Sequence, residues 1–203
     1  MNYLAHIFLS GTDRQVQLGN FIGDAVKGSS YNNYPKSISD GILLHRAIDA
    51  YTDKHPAVRE IIQLIKPYFG RYSGVLLDIF FDYLLASRFN EFSEISLKQY
   101  SRNFYFTIIR NHRYLPERIK NFMWHFIGTN RLCKYASKDG IRMSLEIMVN
   151  YKRIDISVDK SIDYLTEYEE ELMDVFKILF RELQLLCCGY IEAENRKEYL
   201  KQF

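Results

Sequence analysis

The sequence predicts an all-α protein that folds as a single-domain helical bundle. Apolar residues recur three and four positions apart along most of the 203-residue chain, which is the spacing of one face of an α-helix. The chain has only four prolines and ten glycines, so it lacks the turn residues that many short strands would need. We expect one domain over residues 1–203, long enough to bury a core without disulfides.

Eight segments carry the helical pattern. Pro56 and Pro116 stand where a helix tolerates proline, in its first turn, and mark two of the helix starts. The final segment exceeds thirty residues, and its apolar stripe fits either a helix packed on the core or a coiled coil between two copies. The predicted helices cover residues 13–25, 37–54, 57–69, 73–89, 96–111, 117–135, 138–151 and 158–194.

The overall composition excludes several classes of protein. With 27 basic and 25 acidic residues the net charge is +2, which argues against a dedicated nucleic-acid binder but allows a local basic patch for an acidic partner. The sequence has no run of eighteen uncharged apolar residues, so it predicts no membrane span. The apolar start is short and interrupted by His6, and three cysteines without a Cys-x-x-Cys pattern suit a reducing compartment. We therefore expect a cytoplasmic protein without a signal peptide.

Two pairs of ionisable residues lie on apolar helix faces. His45 and Asp49 are four residues apart in one predicted helix, so they share a face. Asp78 and Asp82 have the same spacing and interrupt the apolar run at 75–86. If these helices pack together, the fold gathers three carboxylates and an imidazole. Three negative charges at close range cost several kcal/mol unless a positive charge neutralises them.

Spacing alone leaves two interpretations of this cluster. One is a divalent metal site, which would neutralise the carboxylates and activate a water for hydrolysis. The other is a structural ion-pair cluster completed by Arg46 or Arg88.

Four short blocks of sequence occur in a characteristic order. They are MNYLAH at 1–6, GNFIGD at 19–24, GILLHRAID at 41–49 and LDIFFD at 77–82. Together they resemble the acyl carrier protein phosphodiesterases. Those enzymes are similar in chemistry to the metal-dependent His-Asp hydrolases, which are all-helical phosphohydrolases. At one position the chain departs from the family pattern, because Tyr83 stands where a histidine follows the last aspartate.

The resemblance implies that the substrate is holo acyl carrier protein and that Mn²⁺ or Mg²⁺ is bound. The implied reaction is hydrolysis of the phosphodiester that joins 4′-phosphopantetheine to a serine of the carrier, which returns the apo form. Carboxylate oxygens and an imidazole suit these ions. On this basis we expect the metal ligands, or their immediate supports, to be Asp24, His45, Asp49 and Asp78.

Four other residues receive expected roles from the same resemblance. Asp82 would orient the attacking water or act as the general base. His6 would donate a proton to the leaving serine oxygen or hold a ligand in place. Arg46 and Lys27 would contact the phosphate or the carrier protein. The oligomeric state is left open.

Plainer interpretations of some residues stay open. His6 can be a core histidine bonded to a backbone carbonyl, and Asp24 can be a turn residue next to flexible glycines. His112 and His125, outside the four blocks, are interpreted as structural.

Two other functions also stay open. The chain can be a metal-dependent hydrolase of a nucleotide or another small phosphodiester, or a non-catalytic helical adaptor. An enzyme for the acidic carrier should present basic residues near its site; the candidates are Lys27, Arg46, Lys54, Arg59 and Arg88.

Overall fold

The computed structural model describes residues 2–190, which form α-helices joined by short 3₁₀ turns, with no β-strand in that range. The predicted all-α class is confirmed, and the buried apolar side chains form one core. No helix in the described range is long and apolar enough to cross a membrane. The helices are α1 (Tyr3–Leu9), α2 (Arg14–Ile22), α3 (Lys36–Thr52), α4 (Pro56–Phe69), α5 (Ser73–Ser87), α6 (Leu97–Arg110), α7 (Glu117–Gly128), α8 (Arg131–Lys134), α9 (Lys138–Lys152), α10 (Val158–Glu167) and α11 (Glu169–Tyr190).

The structure differs from the predicted helices at three places. The first helix, α1, was not predicted at all. The predicted helix 117–135 divides into α7 and α8 because Asn130 adopts a left-handed conformation with φ 49°, which asparagine tolerates better than most residues. The predicted helix 158–194 breaks at Tyr168 into α10 and α11, and its part beyond residue 190 lies outside the described range.

The last long helix packs on the core. Its buried residues include Phe176 and Phe180. The ring of Phe176 lies 5.5 Å from that of Phe81 in α5, and the ring of Phe180 lies 5.8 Å from that of Phe8 in α1. Of the two interpretations of this segment, the structure supports the packing helix.

Helices α2 and α3 cross at a pair of glycines. A Cβ atom on Gly19 would lie 2.0 Å from the carbonyl oxygen of Ile38, and one on Gly41 would lie 2.2 Å from that of Val16. No side chain fits at either position, so the two backbones touch. This close approach brings the side chain of Asn20 in α2 next to that of His45 in α3.

We predict that Gly41→Ala lowers the free energy of unfolding by about 1–3 kcal/mol or more, because its methyl group overlaps a backbone carbonyl of α2. Gly74→Ala is the matched control, since a Cβ at Gly74 in α5 meets nothing within 4 Å. That change should be neutral or stabilising by up to ~1 kcal/mol. Urea unfolding of both variants measures the difference, and an equally stable Gly41→Ala protein would contradict the close crossing.

Candidate active site

The site is organised around the buried amide side chain of Asn20. Its Nδ2 donates to the backbone carbonyl of His6 and to Oγ of Ser10, each over 2.8 Å. A carbonyl only accepts, so the NH₂ group must face it and Oδ1 must face the other way. There Oδ1 lies 2.8 Å from Nδ1 of His6 and 3.2 Å from Nδ1 of His45. Both imidazoles therefore donate through Nδ1, which directs their Nε2 atoms away from Asn20.

The two Nε2 atoms converge on the carboxylate of Asp49. Nε2 of His6 lies 3.1 Å from Oδ1, and Nε2 of His45 lies 3.2 Å from Oδ2. The two rings stack with their centroids 4.0 Å apart. Each Nε2 is buried and lacks a well-formed hydrogen bond to any residue the structure describes. Imidazole lone pairs that face a carboxylate repel it unless a proton or a metal cation lies between them.

These three residues form the group best suited to hold a metal in the described part of the chain. The ligand atoms of His6, His45 and Asp49 lie within 4.8 Å of one another. Two imidazole nitrogens with a carboxylate suit Mn²⁺ and other divalent transition metals, and the carboxylate also suits Mg²⁺. The second nitrogen of each ring is held by Asn20, as the outer contacts of metal-binding histidines usually are.

The protonation of the two histidines differs because their surroundings differ. Burial lowers the pKa of His6 to about 4, and the positive charge of His45 acts in the same direction. Burial also works against a charge on His45, but the carboxylates of Asp24 and Asp49 outweigh it and raise its pKa to about 9. The two histidines hold the pKa of Asp49 far below its usual range despite its burial. The carboxylates of Asp24 and Asp49 thus stabilise one positive charge, on the imidazole of His45.

Asp24 and Asp78 line the same cavity as His6 and His45 but lie outside the converging group. Oδ1 of Asp24 is 3.6 Å from Nε2 of His45, and the Asp24 side chain is 73% exposed. Asp78 is half-buried; burial raises its pKa, and the negative charge of Asp49 adds to that effect. Their assignment as metal ligands stays a prediction.

The backbone at Gly23 makes room for His45. A Cβ atom at Gly23 would lie 2.4 Å from Cγ of the His45 ring, so any side chain there would displace the imidazole. The block GNFIGD therefore supplies, in six residues, the α2–α3 crossing at Gly19, the amide of Asn20, the space at Gly23 and the carboxylate of Asp24. Of these, sequence reasoning missed the role of Asn20, although its place in the block was a signal.

Asp82 has a different position from the one expected. It is fully buried, and its two oxygens accept the backbone N–H groups of Leu4 at 2.9 Å and Ala5 at 3.0 Å. Both amides belong to the first turn of α1, whose own N-cap residue, Asn2, makes no side-chain cap. Asp82 therefore caps α1 from another helix and positions His6. Because Asp82 is fully buried and is not among the residues that line the cavity, this geometry does not favour the predicted roles in orienting water or accepting its proton.

The arginines considered as ion-pair partners make their contacts elsewhere. Arg46 donates to the carbonyl of Val26 over 3.0 Å and covers the ring of Tyr31, so it fastens the loop between α2 and α3. Arg88 pairs with Glu170 in α11. The interpretation of the acidic cluster as an ion-pair network with these arginines is therefore wrong.

Lys27 lies at the surface near the site, and Tyr83 contacts another helix. Lys27 is exposed, and its charge helps to lower the pKa of Asp24, after the larger effect of His45. The hydroxyl of Tyr83 donates to Glu169 at the start of α11 over 3.0 Å. The position at which the chain departs from the family pattern thus ties α5 to α11.

A cavity of about 430 Å³ opens in front of the histidine and aspartate side chains. Its opposite wall comes from α7, α8 and α9, where Phe122 and Phe126 provide apolar surface and Arg118, His125 and Arg131 provide polar surface. His125, interpreted as structural, lines this cavity instead. Sequence reasoning missed both arginines, which lie outside the four blocks and carry no spacing signal.

Comparisons with known proteins show the family to which the chain belongs. A family model described as acyl carrier protein phosphodiesterase matches residues 1–183. The chain belongs to this family. Relatives named acyl carrier protein phosphodiesterase include that of Enterobacter sp. (strain 638), which is 29% identical over 171 residues, or 83% of this chain and 89% of that protein. The protein of Yersinia pestis is 27% identical over 177 residues, or 87% and 92% of the two chains. No solved structure matches.

Membership of the acyl carrier protein phosphodiesterase family extends past the four N-terminal blocks. The match to residue 183 includes α7, α8 and α9, which build the far wall of the cavity. Both walls of the candidate active site therefore lie inside the family region.

We predict that Asp82→Ala lowers the free energy of unfolding by about 2–4 kcal/mol, because two buried amides of α1 lose their acceptor. Asp13→Ala is the control: Asp13 caps α2 in the same way, through Gln15 and Val16, but is exposed. Its loss should cost about 1 kcal/mol. Urea unfolding at neutral pH compares the two, and equal small losses would show that Asp82 does not hold α1.

Proposed function

We propose that this chain hydrolyses the phosphodiester that joins 4′-phosphopantetheine to a serine of holo acyl carrier protein, releasing the apo carrier. The observation that carries the proposal is that His6 and His45, which line a cavity, converge on the carboxylate of Asp49. The chain that holds this group belongs to the acyl carrier protein phosphodiesterase family. A cavity of about 430 Å³ falls in the range that binds small organic groups, such as the phosphopantetheine arm.

We further propose that His6, His45 and Asp49 hold a divalent ion, Mn²⁺ or Mg²⁺, with Asp24 as an additional oxygen ligand. The support is that two buried Nε2 atoms without well-formed hydrogen bonds face one carboxylate. When bound, such an ion supplies a Lewis acid and lowers the pKa of its water. Asn20 keeps the Nδ1 protons on the far side of both rings, so the Nε2 atoms face the ligand position. A bound ion would take the place of the Nε2 proton that the raised pKa of His45 favours.

The other residues near the site divide the remaining tasks. In place of the predicted ligand role, we assign to Asp78 the acceptance of a proton from the attacking water. Asp78 is a half-buried carboxylate with a raised pKa that lines the cavity. His6 has Nδ1 held by Asn20 and a pKa near 4, which favours a ligand role over proton donation to the serine oxygen. Lys27, exposed beside Asp24, would contact the acidic carrier, and Arg46 would act indirectly by holding its loop.

Two competing functions have less support. The adaptor interpretation needs the acidic cluster to be dispersed or paired off. Asp24 and Asp78 instead line one cavity with both histidines, and Arg46 and Arg88 make other contacts. The experiment below distinguishes the carrier protein from a small phosphodiester as the natural substrate.

We also propose a cytoplasmic location, because three free cysteines suit a reducing compartment.

We predict that the purified protein with Mn²⁺ converts holo acyl carrier protein to the apo form, which mass spectrometry detects as loss of the phosphopantetheine group. Because complementary charge chiefly raises the association rate, kcat/KM should fall as salt rises from about 0.05 to 0.5 M. A cyclic nucleotide and bis(4-nitrophenyl) phosphate serve as comparison substrates. Faster turnover of either one, or no release of apo carrier, would refute the proposed substrate.

We predict that Asp49→Ala abolishes metal-dependent hydrolysis and weakens Mn²⁺ binding by tenfold or more, since it removes the carboxylate on which both histidines converge. Asp53→Ala, one turn further on and exposed at the end of α3, is the matched control and should retain both properties. Calorimetric Mn²⁺ titration and circular dichroism accompany the activity assay. Full activity of a folded Asp49→Ala protein would remove Asp49 from the site.

A further inference from the structure

The far wall of the cavity carries two arginines. Arg118 lies in the first turn of α7, and Arg131 begins α8. Both line the cavity that His6 and His45 also line. Within residues 2–190 neither Arg118 nor Arg131 takes part in an ion pair, whereas Arg88 and Arg142 each pair with an acidic residue. Two guanidinium groups thus face a cavity whose other wall is acidic.

The fold holds these arginines in place. The side chain of Arg131 lies over the ring of buried Tyr135 at 6.0 Å. The N–H of Leu132, the next residue, donates to the hydroxyl of Tyr105 over 2.9 Å, which fixes the start of α8 on α6. Arg118 is more exposed, at the rim of the same cavity. Arg131 is therefore half-buried against an aromatic ring, whereas Arg118 is exposed to solvent.

The charges of both arginines reach the catalytic wall. Burial raises the pKa of Tyr3, which lines the cavity; Arg118 and Arg131 lower it, and Asp24 raises it. The hydroxyl of Tyr3 therefore lies within electrostatic range of both cations and of an acidic residue of the site. A group that bridges the cavity must present an anion to the arginines and can still reach the histidine and aspartate side chains.

We propose that Arg118 and Arg131 bind the phosphate of the 4′-phosphopantetheine group, with the apolar surface of Phe122 and Phe126 against the pantetheine arm. The proposal rests on the proposed function and adds the residues that select the substrate. Planar guanidinium groups match phosphate oxygens and stay charged at all relevant pH values. They are binding residues of the substrate and line the same cavity as His6 and His45, because the phosphate that they bind is also the group that reacts.

The two arginines should also bind the product of the reaction. Water adds its oxygen to phosphorus, the bond from phosphorus to the serine oxygen breaks, and the serine oxygen takes up a proton. The diester carries one negative charge, whereas the released monoester carries nearly two at neutral pH. A subsite made of two guanidinium groups should therefore hold the product at least as tightly as the substrate, and free 4′-phosphopantetheine should inhibit competitively.

The test measures binding of 4′-phosphopantetheine and of pantetheine, which lacks the phosphate, by calorimetry in EDTA so that no metal contributes. We expect the wild-type protein to prefer the phosphorylated compound about tenfold or more, and we expect Arg118→Gln and Arg131→Gln each to reduce that preference about tenfold. Arg131→Lys, which keeps the charge but loses the planar group, should fall in between.

Arg102→Gln is the matched control, because Arg102 is an exposed arginine of α6 outside the cavity lining and its loss changes the net charge equally. It should bind both compounds as the wild type does. The proposal is overturned if the wild type shows no preference, if Arg118→Gln and Arg131→Gln retain it, or if Arg102→Gln loses it to the same extent. Since Arg118 is exposed, its variant should fold normally, as a thermal melt verifies.

This readout separates the two proposals. Phosphate selectivity in EDTA does not depend on turnover, so it can persist in a protein that fails to release apo carrier, and that result would refute the proposed function alone. Conversely, a protein that hydrolyses holo carrier but shows no phosphate selectivity would refute only the role of the arginines.

Discussion

The candidate site depends on one amide oxygen that accepts hydrogen bonds from two imidazoles. Oδ1 of Asn20 faces Nδ1 of both His6 and His45, and it does so because Nδ2 is committed to a backbone carbonyl and a serine hydroxyl. A buried polar group that satisfies every donor and acceptor in this way has one stable orientation. The orientation of two rings from two helices is thereby decided by a side chain from a third. The stacking of the rings and their convergence on Asp49 follow from it.

The backbone contact between α2 and α3 serves the same arrangement. The two glycines at the crossing let α2 approach α3 closely enough for Asn20 to reach His45, and Gly23 leaves the space that the imidazole fills. Three positions without side chains therefore determine where one histidine ring lies. The gathering of negative charge at Asp24, Asp49 and Asp78 is tolerable in this setting because positive charge, on His45 or on a bound ion, can be held among them.

The sequence predicted the fold class and part of the site. It predicted the contacts that lie within one helix and missed those that form between helices. Helical spacing identified His45 and Asp49 as neighbours, because residues four apart on one helix face each other whatever the tertiary structure. The same rule placed Asp82 beside Asp78 but could not reveal that the carboxylate of Asp82 is used by the amides of α1, since that contact joins residues 78 positions apart. Asn20, Arg118 and Arg131 acquire their significance only when separate helices come together, and periodicity within one helix carries no information about that.

The remote cap on α1 has a consequence for the order in which the protein is made. Seven residues are too few for a helix to persist alone in water, and α1 has no cap of its own. During synthesis the segment that carries His6 leaves the ribosome first, yet its first turn gains an acceptor only after residue 82 has emerged and α5 has formed. The N-terminal part of the active site is thus among the earliest sequences translated, yet its helix is capped only once α5 is present. A chain that ends before residue 82 would therefore not display the assembled site.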